Sequence, residues 1–114
     1  MEPVSKINYD DFKKVEIKVG KILSAEKIEG SEKLLKLSVS FNEDSPRQII
    51  SGIAKYFPDE ASLVLKKCLF VTNLEPRMIM GMESNGMLFA LGGGDTPFSL
   101  IISENDVVEG TSAN

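Results

Sequence analysis

Two stretches of alternating hydrophobicity constrain this chain more than any other feature. In the first, Val15, Ile17, Val19, Leu23 and Ala25 share one parity, while Glu16, Lys18, Ser24 and Glu26 hold the other. In the second, Leu35, Leu37, Val39 and Phe41 alternate with Lys36, Ser38 and Ser40. A period of two means strands with one face buried. Gly20 and the off-phase Ile22 break the first pattern, and such a break predicts a bend or bulge where a strand curls round a corner. Glu29-Gly30-Ser31-Glu32 between the two stretches reads as a turn.

Further short strands follow. Arg47 to Ser51 reads as a third strand, and Lys67 to Asn73 as a buried fourth, with Cys68 to Val71 continuously apolar. Gly86 to Leu91 reads as a fifth and Phe98 to Ile102 as another, with a loop expected from Leu74 to Asn85. Between Gly52 and Lys66 the pattern becomes helical, and Pro58 with Asp59-Glu60 suits a first helical turn. Near the start, Asn8 followed by Asp11 predicts a short helix over Tyr9 to Lys14 that directs Phe12 inward. Many short strands with one small helix between the third and fourth describe an all-β, five-stranded Greek-key barrel of the OB-fold type. A leading helix and a C-terminal extension flank it. A β-sandwich fits less well, because it needs more strands and no inserted helix. With 114 residues and no internal repeat or linker, one domain spanning residues 1–114 is expected.

Absences narrow the chemistry. Histidine is missing and Cys68 is the single cysteine, so common metal centres and Ser-His or Cys-His nucleophiles cannot be assembled, and no intrachain disulfide can form. No metal, no cofactor and no catalytic residue is expected. Gly92-Gly93-Gly94 lacks a phosphate-loop pattern and is followed by Asp95. The opening from Met1 to Asp10 is polar and no apolar run is long enough to span a bilayer, so a cytoplasmic, membrane-free protein is expected. Net charge is −4, yet its distribution is uneven. From Lys13 to Lys36 seven lysines face four acids, whereas from Glu75 to Asn114 one arginine faces six acids. That polarity can present one basic face on an acidic molecule, or the lysines can simply solvate the outer faces of strands.

A barrel of this kind binds ligands on one strand face and in its loops. Six residues could gather there. Lys33 leaves the first hairpin turn, Ser51 closes the third strand, Asn73 ends the fourth, Arg77 follows the stiffening Pro76, and Ser84 and Asn85 precede Gly86; Met87, which starts the next strand, stays open beside them. They supply cations and neutral hydrogen-bonding groups, the types that hold phosphates, riboses and base edges. Each also has a structural reading: Asn73 and Ser84 can satisfy turn amides, and Arg77 can pair with Glu75 or Glu83. Met78, Ile79, Met80 and Met82 read mainly as core or dimer packing.

The string DDFKKVEIKVGKILSAEKIEGSEKLLKL (Asp10 to Leu37) resembles the opening of the tRNA-binding domain family. RQIISGIAKYF (Arg47 to Phe57), NLEPR (Asn73 to Arg77) and GMESNGMLFA (Gly81 to Ala90) are similar to its three later blocks, in order. That family includes the C-terminal domain or β-chain of methionyl-tRNA synthetase, stand-alone structure-specific tRNA-binding proteins, the endothelial monocyte-activating polypeptide domain and the chaperone CsaA. The resemblance implies an OB-fold barrel that binds tRNA without catalysis, as a homodimer and in partnership with the catalytic part of the synthetase. It implies tRNA contacts at Lys33, Ser51, Asn73, Arg77, Ser84 and Met87. A CsaA-like, protein-binding chaperone is the alternative that it also implies. Lys18 stands where the family often has arginine, and the acidic segment from Gly92 onward departs from its pattern.

Overall fold

A computed structural model describes residues 4–114. The helix α1 (Tyr9–Phe12) begins where Asn8 Oδ1 accepts a hydrogen bond from the Asp11 amide at 2.8 Å. It is only four residues long and buries none of them; Phe12 is 51% exposed, so the inward placement expected for it is wrong. Four residues present no continuous apolar stripe that could dock on the barrel.

The barrel is built from β1 (Ile17–Lys27), β2 (Leu35–Ser40), β3 (Arg47–Ser51), β4 (Lys67–Val71) and β7 (Met87–Leu88), in the sheet order β3-β2-β1-β4-β7. All neighbouring pairs are antiparallel. The expected all-β, OB-like barrel is present. β2 shows the anticipated alternation: Leu35, Leu37 and Val39 are wholly buried and Phe41 follows them inward. In β1 the register shifts between Ile22 and Ser24. The bulge turns Ile22 into the core and leaves Leu23 outside, reversing the orientation its parity suggested. Gly20 lies under the same bend. A Cβ there would stand 2.6 Å from both Phe41 and Val39 side-chain atoms, so only glycine lets β1 cross the core so closely.

Between β3 and β4 the expected helix is two separate 3₁₀ turns, Ala54–Tyr56 and Glu60–Leu63. Asp59 caps the second by accepting from the Ala61 amide, and Leu63 drops into the core beside Phe70 and Ile53. Leu74 to Asn85 is not a plain loop. It folds into a hairpin of β5 (Arg77–Ile79) and β6 (Met82–Ser84), turning at Met80-Gly81 where both residues have positive φ. That is the mirror-image turn that suits strand twist. The expected fifth strand divides at Phe89 into β7 and β8 (Ala90–Gly93), and β8 pairs with β9 (Thr96–Leu100). Tyr56 and Phe98 stack with ring centroids 4.3 Å apart, holding this second hairpin to the first 3₁₀ turn.

Two devices close the barrel. On one side, β6 lies along β3: the Asn85 amide donates to Gln48 O at 2.8 Å, and the Ile50 amide donates to Ser84 Oγ at 2.9 Å. On the other, residues 110–113 run along β1. Val19 N donates to Thr111 O, Gly110 N to Val19 O, and Ala113 N to Ile17 O. Gly110 permits this approach, because a Cβ there would fall 2.4 Å from Phe41 O.

Candidate nucleic-acid interface

Arg77, Ser84 and Met87 are brought together around one small hollow, with Ile50, Leu74, Glu75, Ile79 and Gly86 completing its wall. Cross-strand pairing explains part of this. Arg77 faces Ser84 and Ile79 faces Met82 across the β5–β6 hairpin, so these four share one face, while Met78 and Glu83 share the other. Ser51 follows Ile50 directly and pairs with Leu35 across β2 and β3. Lys33 lies just before that pair, on the β1–β2 loop. The hairpin tip reaches the same loop: Met80 Cε is 3.9 Å from where a Cβ would stand on Gly30.

The six candidates differ in what their side chains already do. Ser84 is buried, its hydroxyl accepting from Ile50 N and donating to Gly86 O at 3.3 Å. Asn73 lies outside the hollow. Its Oδ1 accepts from Glu16 N at 2.8 Å and its Nδ2 donates to Lys14 O, so it pins the segment entering β1 to the end of β4. Lys33 and Arg77 form no ion pair with any described residue, and the pairing of Arg77 with Glu75 or Glu83 is not found. Arg47, by contrast, is engaged within the fold. It forks onto Glu43 at 2.9 and 2.8 Å, donates to Thr72 O at 2.7 Å and lies over the Phe41 ring. The hydrogen bonds from Arg47 hold the Glu43 carboxyl below the usual carboxylate range, and Glu43 raises the pKa of Arg47 in return.

Leu74 and Ile79 were missed as parts of the hollow because residues 74–85 read as a loop. The signal that could have found them is short: Arg77-Met78-Ile79 and Met82-Glu83-Ser84 straddle a two-residue Met80-Gly81 link, the spacing of a tight hairpin. A larger concavity, about 580 Å³, lies at the β2–β3 turn and the start of β3, but Glu43, Asp44 and Glu83 line it and would repel a polyanion. Among the described residues no cluster of side chains suited to a metal ion occurs.

Residues 17–112 match the family model described as "Putative tRNA binding domain". The methionine–tRNA ligase of Methanocella arvoryzae is 53% identical over 85 residues, covering 74% of this chain and 12% of the ligase. That of Caldanaerobacter subterraneus is 42% identical over 110 residues, covering 96% of this chain and 17% of the ligase. The chain thus spans a small fraction of the curated relatives it matches. Among solved structures, a MetRS-related protein from Pyrococcus horikoshii superposes with a TM-score of 0.88 at 37% identity, covering 96% of this chain and 99% of the other. The chaperone CsaA of Bacillus anthracis has the same fold, with a TM-score of 0.84 at 19% identity over 96% of this chain and all of the other. On the match to its family model and the likeness to the Pyrococcus protein, the chain belongs to the tRNA-binding domain family.

Proposed function

We propose that the chain binds tRNA without catalysing a reaction, and that the rim formed by the β1–β2 loop, the end of β3 and the β5–β6 hairpin is the contact face. The observation that carries this reading is Arg77, a guanidinium without an ionic partner among the described residues, lining a hollow with Ser84 and Met87. A forked donor of this kind bridges phosphate oxygens or stacks on a base. Lys33 and Ser51 supply a second cation and a hydroxyl on the same rim. Asn73 and Ser84 serve by holding the scaffold in place, since their polar atoms are occupied within the fold. The hollow holds about 70 Å³, roughly two waters at about 30 Å³ each, so no base can be swallowed whole. Recognition therefore rests on the outline of the RNA more than on base edges.

Such a domain raises the local concentration of tRNA for a catalytic partner joined or bound to it. Methionyl-tRNA synthetase, of which this chain resembles a small part, is the partner proposed, and the cytoplasm the location. No helix among the described residues is long and apolar enough to cross a membrane. The test is a pair of titrations of the full chain, one with unfractionated tRNA and one with an unfolded polypeptide. Saturable tRNA binding that the polypeptide does not displace is expected. Binding of the polypeptide alone would overturn the proposal in favour of a CsaA-like activity.

A further inference from the structure

The apolar side chains beside Arg77 are not core residues. Leu74 is 45% exposed, Met80 56% and Met87 47%, and with half-buried Ile79 they border the hollow that Arg77 lines or the hairpin tip above it. Met80 is held at φ +50, a left-handed conformation in which most side chains are strained and Asn or Gly is usual. Its burial does not explain its presence, since more than half of it faces outward. The tip nevertheless brings it to the β1–β2 loop that carries Lys33.

We infer that Leu74, Met80 and Met87 form a collar that takes the faces of unpaired nucleobases, while Arg77 and Lys33 hold the phosphates on either side. This rests on the tRNA-binding reading and names the part of the RNA that the apolar rim contacts. Thioethers and branched aliphatic groups pack well on aromatic faces, and sulfur–aromatic contact adds to that attraction. A base face needs no hydrogen-bonding partner, so such a contact is tolerant of sequence. Charge selects the occupant. Two cations without ionic partners among the described residues stand at an apolar rim, which matches a polymer of flat rings joined by phosphates. A second copy of this chain would have to bury both cations against its own surface.

Met78 provides an internal control. It is 68% exposed, more than Met80, but occupies the opposite face of the hairpin with Glu83. The experiment compares the wild-type chain with Met80→Asn, Leu74→Ser and Met78→Ser. The probes are unfractionated tRNA, an RNA stem-loop with unpaired bases, and a fully paired RNA duplex of equal charge. Asn accepts the left-handed turn, so Met80→Asn keeps the hairpin. Met80→Asn and Leu74→Ser should each weaken binding of tRNA and stem-loop about three- to tenfold, the scale of a lost apolar or sulfur contact on a ring. Duplex binding and the salt dependence should stay as in wild type, and Met78→Ser should change nothing. Equal losses for Met78→Ser, no loss for the other two, or a lowered sedimentation coefficient in their place would each overturn the collar, the last by making it an interface between copies. If wild type binds no tRNA, the proposed function itself fails; if it binds and the variants bind alike, only the collar fails.

Discussion

Arg77 and Arg47 are the only arginines in the chain, and their surroundings differ. Arg47 commits three hydrogen bonds to partners inside the fold, whereas Arg77 has no ionic partner among the described residues. Arg77→Ala should therefore weaken tRNA binding by about 1–3 kcal/mol and reduce the salt slope by about 1. The thermal midpoint should hold, and paired measurements of affinity and midpoint on the same variant check both halves. Ser84→Ala should behave in the opposite way. Removing Oγ leaves the Ile50 amide without its acceptor in a buried place, at a cost of about 1–3 kcal/mol. The midpoint should fall, and affinity measured well below the transition should change little. A variant with unaltered melting but tenfold weaker tRNA binding would show that Ser84 touches the RNA directly.

Individual elements were legible in the sequence to different degrees, for physical reasons. β2 was legible residue by residue, because Leu35 to Phe41 alternates without interruption and every second side chain is buried. β1 was legible only up to its bulge; period-two reading assumes a constant phase, and the extra residue at Ile22–Ser24 changes it. The β5–β6 hairpin escaped notice because its strands are three residues each, too short for alternation to register. The candidate site was half legible in its placement: Arg77, Ser84 and Met87 line one hollow, but that Asn73 and Ser84 have their polar atoms engaged internally depends on contacts across 57 and 34 residues. Another element-level contact carries a pH signature. Glu43, in the β2–β3 turn, is folded with a carboxyl pKa below its ordinary 4.5 because of Arg47. A group depressed on folding stabilises above its unfolded pKa and ceases to do so as pH falls through the folded value. The difference in midpoint between wild type and Glu43→Gln should be constant near neutrality and shrink below about pH 4.5. It should correspond to no more than about 1 kcal/mol, since the Glu43 carboxylate is 37% exposed. Thermal melts from pH 7 to pH 3 test this, and a difference that grows on acidification would refute it.

At the scale of the molecule, an acidic chain that binds RNA must do so through few contacts. Lys14, Lys18, Lys27, Lys36, Lys67 and Arg47 are all paired with carboxylates, which leaves a modest set of cations for phosphates. The logarithm of tRNA affinity should fall with the logarithm of salt at a slope of roughly −2 to −4, and a slope steeper than about −7 would demand more contacts than the rim provides. Exposed Ile7, Phe12 and Val108 outside the barrel favour a symmetric pair of chains, with further apolar surface to cover. Sedimentation should show a species near twice 12.5 kDa at micromolar concentration, and a monomer there would refute the pairing. The strap of residues 110–113 along β1 also sets an order in time. The first strand of the domain has to wait for almost the last residues of the domain before its edge is sealed. A nascent chain halted short of Gly110 would carry part of β1 with unpaired amides and carbonyls, the kind of open edge that recruits other strands.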